Sequence, residues 1–179
     1  MHCFFFDASA LVKRYHQEAG PDVVNRLLDE LLVSAPDRVA VSPLTLSETI
    51  SVLARHRNAG PIPDALFQQA VARVLLEARA MNLQSVNDEV ILHSVSLISR
   101  HNINGSDALH LHQAMSLHGL LQLMEYDLVL VASDRRLVRA AEDEGLVTLD
   151  PEKATLPEVE SLLRPEEEGT GEVVEEPES

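Results

Sequence analysis

Four carboxylates in this 179-residue chain stand where short apolar runs give way to helical patterns. Asp7 follows Cys3-Phe4-Phe5-Phe6, and Glu48 sits in an early turn of the helix after Val39-Ala40-Val41. Asp107 opens a helix, and Asp134 follows Leu128-Val129-Leu130-Val131. Taken singly, each has a plain explanation in helix capping, since a carboxylate near a helix N-terminus is favoured by about 0.3–1 kcal/mol. Thr45-Leu46-Ser47-Glu48 even has the form of a capping box, a hydroxyl residue followed three later by Glu. Taken together the acids imply more. Carboxylates gathered at one place resist ionisation unless a cation neutralises them. Mg²⁺ or Mn²⁺ suits such hard oxygen ligands, and a bound divalent ion can lower the pKa of water, hold a phosphate and stabilise a leaving oxygen. A divalent ion among Asp7, Glu48, Asp107 and Asp134 would resolve that conflict.

Convergence depends on the elements that carry these acids. The run 3–6 reads as a strand covered on both faces, stopped by Asp7, with a helix beginning near Ser9. Val23, Val24, Leu27, Leu28, Leu31 and Leu32 repeat at helical spacing, and Val39 to Val41 reads as a second strand. Ser42-Pro43 supplies an N-cap and a first-turn proline for a helix to about Asn58. Helices are expected over Leu66 to Ala78 and Val90 to Ile98, and from Ser106-Asp107 to at least His118. Leu128 to Val131 is the clearest strand, followed by a helix to about Glu144, a short strand Val147 to Leu149 and a closing helix Pro157 to Arg164. Strands alternating with helices predict one α/β domain, a central parallel sheet with helices on both faces. Ligands of such sheets bind beyond the carboxyl ends of the strands, which is where the acids fall.

These residues resemble the motifs of a known family. Asp7-Ala8-Ser9-Ala10-Leu11-Val12-Lys13-Arg14-Tyr15, with Glu18-Ala19-Gly20 after it, resembles the first motif of PIN domains of the VapC toxin type. Ser42-Pro43-Leu44-Thr45-Leu46-Ser47-Glu48 resembles the second and Ser106-Asp107-Ala108-Leu109-His110-Leu111 the third. Val131-Ala132-Ser133-Asp134-Arg135-Arg136-Leu137 resembles the fourth. The order and spacing fit over roughly residues 3 to 150. The resemblance implies a PIN-like fold, Mg²⁺ or Mn²⁺ dependence and endonucleolytic cleavage of RNA by metal-activated water. It assigns the catalytic, metal-holding role to Asp7, Glu48, Asp107 and Asp134, and a supporting role to Ser9 and Ser133, whose plain alternative is helix capping. It also implies a homodimer and a small antitoxin partner that inserts into the acidic groove. The chain departs from many relatives at Asn104, where they carry a basic residue, and in its long acidic tail.

RNA needs local positive charge even on an acidic protein. Lys13 and Arg14 follow the first acid, Arg55, His56 and Arg57 lie two to three turns after Glu48, and Arg135, Arg136 and Arg139 follow Asp134. Lys13 and Arg135 are the expected substrate-binding residues; the alternative for each is an ordinary solvated helix face. The histidines do not make a zinc site by spacing, because His110 and His112 point about 200° apart on a helix. His110, one turn after Asp107, is within reach of the acidic pocket, though a packing or surface role is its default.

Composition bounds the rest. The formal charge of −15 disfavours a broadly cationic nucleic-acid binder, but residues 165–179 hold seven Glu and no Lys or Arg, and read as a disordered acidic tail. The expected division is a nuclease domain over 1–150, a short helix over 151–164 and the tail over 165–179. A single cysteine, Cys3, no basic-then-apolar leader pattern and no apolar run of about 18–20 residues predict a cytoplasmic protein without a membrane span. An aspartyl-phosphate hydrolase would need a second acid where Ser9 stands, a receiver domain would need an acidic pair and a late lysine, and no Gly-rich turn supports a dinucleotide. The competing reading is a PIN-like protein-binding module with weak or no cleavage.

Overall fold

A computed structural model describes residues 1–16, 20–60 and 62–164. Glu18 and Ala19 of the first motif and the acidic tail at 165–179 lie outside the described residues. Five strands, β1 (His2–Phe6), β2 (Val39–Val41), β3 (Asn82–Leu83), β4 (Asp127–Val131) and β5 (Val147–Leu149), form one sheet in the order β3-β2-β1-β4-β5. Every pairing is parallel, and Phe6 lies beside Val41 on one side and Val131 on the other. The expected strands are all present; β3 is an addition, an exposed two-residue edge too short to leave a periodic signal. It is held by pairing Leu83 with Val41.

The alternation of side chains along the central strands divides the core between the faces of the sheet. Phe4 and Phe6, with Val129 and Val131, pack against α1 (Ala8–Leu11), α2 (Pro21–Ser34) and α8 (Leu156–Leu163). Cys3 and Phe5, with Leu128 and Leu130, pack against α5 (Asp88–His101), α6 (Gly105–Gln122) and α7 (Arg135–Asp143). A hairpin of α3 (Pro43–Ala59) and α4 (Asp64–Glu77) closes a smaller cluster around Leu53, Phe67 and Val74. Because both faces are covered, β1 carries no polar alternation: Phe4, Phe5 and Phe6 are fully buried. Among the described residues no helix is long and apolar enough to cross a membrane.

The segment after β5 is tied back to the first motif. Gly20, the N-cap of α2, has φ +81 and sits so close to Pro151 that a Cβ would land on that carbonyl. Lys13 Nζ, in the 3-10 turn Val12–Arg14, reaches Glu152 at 2.7 Å.

Candidate metal centre

Strand order reverses at β1, whose neighbours β2 and β4 continue in opposite directions across the sheet. The carboxyl edge at that reversal is where α/β sheets open a crevice. Asp7 leaves β1 there, with its N–H bonded to the Val131 carbonyl of β4 at 3.0 Å. Its carboxylate serves two functions. Oδ2 accepts the Ser9 N–H at 2.9 Å, capping α1, while Oδ1 lies 2.8 Å from His110 Nδ1. A carboxylate only accepts, so Nδ1 carries the proton in this contact.

His110 is wholly buried beneath the acids. Its Nε2 is 3.3 Å from Thr45 Oγ1 and 3.7 Å from Glu48 Oε2. Thr45 in turn donates to the Phe6 carbonyl at 3.4 Å. The helix cap of α3 is Ser42, whose hydroxyl accepts the Leu44 N–H at 3.2 Å. The Thr45–Glu48 capping box is therefore corrected: Thr45 already lies inside the helix and is buried, and its hydroxyl is spent on Phe6 and His110. Glu48 is left half-buried, turned toward the His110 ring. An oxygen from each of Asp7 and Glu48 and a His110 nitrogen all lie within 4.8 Å of one another.

Asp107 enters from α6. Asn104 caps that helix, accepting the Asp107 N–H at 2.9 Å and the Ser106 hydroxyl at 2.8 Å, so Asp107 itself is released from capping. Asn104, where the chain departs from the motif it resembles, is used here to start the helix. Asp134 does cap α7, its Oδ1 accepting the N–H groups of Arg136 at 2.8 Å and Leu137 at 3.1 Å; its other oxygen is not used for this. Ser9 joins the two halves: its Oγ accepts the backbone N–H groups of Ser133 at 2.9 Å and Asp134 at 3.2 Å.

The electrostatics follow. Burial alone would push Asp7 up, but the His110 hydrogen bond and charge, with the Ser9 contacts, hold its carboxyl below the ordinary value. Burial likewise disfavours a charged His110, but the bond to Asp7 and the charges of Asp7, Glu48 and Asp107 outweigh it and raise the ring's proton affinity. Asp107 is pushed up to about 6, first by burial and then by the negative charges of Asp7 and Asp134. The structure thus brings Asp107 within the fields of Asp7 and Asp134, and Glu48 beside Asp7 through His110. Oxygen donors close enough that the charges of Asp7 and Asp134 help to raise Asp107 are what a hard divalent cation fits. Sequence reasoning missed the His110 bridge and the Thr45 contact; the only signal was His110 falling one turn after Asp107.

Of the residues expected to hold substrate, Lys13 is buried and ion-paired to Glu152, while Arg135 is exposed at the first position of α7. Arg14 is buried too, between Glu77 at 2.9 Å and Asp29 at 2.6 Å.

Residues 4–143 match the PIN domain, and the chain belongs to that family. Among solved structures it is similar to PAE2754 from Pyrobaculum aerophilum, at 18% identity and a TM-score of 0.59, over 89% of this chain and 96% of that one. A toxin-antitoxin complex from Klebsiella pneumoniae also matches, at 16% identity and a TM-score of 0.49, over 82% of this chain and 96% of that chain. At such identities the likeness concerns the fold. A search of curated proteins finds no match.

Proposed function

We propose that this PIN-domain protein is a Mg²⁺- or Mn²⁺-dependent endoribonuclease. The observation that carries the reading is the grouping of Asp7, Glu48 and His110, whose ligand atoms lie within 4.8 Å of one another, with Asp107 raised to about 6 first by burial and then by the charges of Asp7 and Asp134. Asp7, Asp107 and Asp134 would hold the cation, with Glu48 direct or through water. A divalent ion bound there supplies a more acidic water and offsets phosphate charge. The chain's own residues do the positioning. His110 fixes one Asp7 oxygen and the Ser9 N–H fixes the other, so the carboxylate cannot rotate away. Ser9 holds the backbone at Ser133 and Asp134, setting where the fourth acid stands. Capping by Asn104 frees the Asp107 carboxylate for the crevice.

Hydrolysis by water leaves 5'-phosphate and 3'-hydroxyl ends. Mapping the termini of cleaved RNA tests this; 2',3'-cyclic phosphate ends, which come from attack by the ribose hydroxyl, would refute it. A toxin role, a small antitoxin and a cytoplasmic location belong to the same proposal, supported by the motif resemblance to VapC-type toxins and, for location, by the lone cysteine. A homodimer would have apolar side chains to cover on α4 and α5, which leave Leu75, Leu76, Ile91, Leu92 and Val95 exposed.

A further inference from the structure

An acidic protein that handles RNA must hold phosphates with cations not already used internally. Most of the cations near the fold's crevices are used. Lys13 is bound to Glu152, Arg14 to Glu77 and Asp29, Arg26 to Glu160, and Arg100 to Glu144. Arg55 and Arg79 are also exposed and without an ion pair among the described residues, but they stand singly, whereas three such cations gather on α7. Arg135, Arg136 and Arg139 are exposed, and among the described residues none of them forms an ion pair. Arg135 and Arg139 are one turn apart on the same side of the helix, and Arg136 lies about 60° from Arg139 around its axis. The helix starts at Asp134, so the row leads directly away from the candidate metal centre.

The placement also works against the helix. Arg135 and Arg136 occupy the first turn, where the backbone dipole favours anions, and Glu142 and Asp143 occupy the last, where it favours cations. Arg135 and Arg139 repel at i,i+4. Glu142 is engaged by the Thr148 hydroxyl at 2.9 Å and Asp143 lies 3.7 Å from His101, but among the described residues no ion pair accounts for the three arginines. Departures from local rules without structural compensation mark functional positions.

We infer that the exposed arginine face of α7, Arg135, Arg136 and Arg139, is the track that holds the phosphate backbone of single-stranded RNA beside the Asp134 edge of the site. The inference rests on the nuclease reading for its choice of RNA, but the two are tested separately. Planar guanidinium groups suit phosphate, and one residue per turn presents them along a strand. Lys13, itself buried and engaged with Glu152, is not part of the track.

The test is equilibrium binding of a fluorescent single-stranded RNA of mixed sequence to the full chain carrying Asp7→Asn, in Mg²⁺ over a range of salt. Replacing all three arginines by Gln is expected to weaken binding about tenfold and to make the salt dependence shallower by about 2, near 0.7 for each phosphate no longer neutralised. Arg79→Gln, which removes an exposed cation from the turn entering β3 at the opposite edge, is expected to change affinity less than about twofold. Gln keeps helix propensity and removes repulsion, so the triple variant is expected to melt no lower than its parent, excluding misfolding as the cause. Unchanged RNA binding by the triple variant, or an equal drop in affinity with Arg79→Gln, would overturn the track. Displacement of RNA by poly-glutamate at lower charge concentration would overturn RNA as its occupant and point to an acidic protein segment. Cleavage by the unaltered chain, measured alongside, separates the readings: a track that binds RNA without cleavage leaves the inference standing and the nuclease proposal fallen.

Discussion

At the scale of single residues, the acids are distinguished by what else they must do. Asp134 spends an oxygen on its helix and Asp7 spends both on Ser9 and His110, whereas Asn104 relieves Asp107 of capping. Asp107 is therefore the carboxylate whose environment offers it least, pushed up to about 6 by burial and by Asp7 and Asp134. Replacing it with Asn removes that repulsion at little steric cost. In EDTA, Asp107→Asn is expected to raise the melting temperature by a few degrees, corresponding to roughly 1 kcal/mol in a domain of this size. Added Mg²⁺ should stabilise the unaltered protein and not the variant, because ligand binding to the native state is what shifts the transition. Differential scanning measurements with and without metal check both parts. The acids themselves were legible in the sequence because each closes a recognisable local pattern. His110 was not, since its partners Asp7 and Thr45 are 103 and 65 residues away. Helical spacing says which face a side chain takes, but not that the opposing face carries a carboxylate.

The elements were read from periodicity with little error, for a physical reason: a sheet covered on both faces needs uninterrupted apolar strands, and Phe4 to Phe6 and Leu128 to Val131 supply them. What escaped was β3, which is two residues long and exposed. Cationic residues after the first acid were misleading in the same way. Arg14 looks available in the sequence but is drawn inside by Glu77, 63 residues on, and Lys13 by Glu152, 139 residues on. Those long-range ties make the 3-10 turn and the loop after β5 a single packed unit with Gly20 at its centre. A Cβ at that position would meet the Pro151 carbonyl, and its φ of +81 is one that other residues adopt at a cost. Gly20→Ala is expected to destabilise the protein by about 2 kcal/mol, read as a lower denaturant midpoint with an unchanged slope. A variant as stable as its parent would show that the loop after β5 yields without cost.

At the scale of the whole molecule, the net charge of −15 would repel RNA at long range, so the proposed binding has to rest on local cations. Screening over about 8 Å at physiological salt lets a short cationic helix act against that background. The sheet order explains how acids far apart in sequence come to stand near one another: reversal at β1 brings the ends of β1 and β4 and the starts of α3, α6 and α7 to one edge. Membership of the PIN family accounts for this architecture. Whether the crevice cleaves RNA with a metal is the central question, and one assay addresses it most directly. Purified full-length protein is incubated with mixed-sequence RNA in Mn²⁺, in EDTA, and in Mn²⁺ with Asp7→Asn. The account predicts cleavage in the first condition only, with the variant at least ~100-fold slower. Cleavage that persists in EDTA or in the Asp7→Asn protein, or its absence from the unaltered protein with every divalent ion tried, would contradict it.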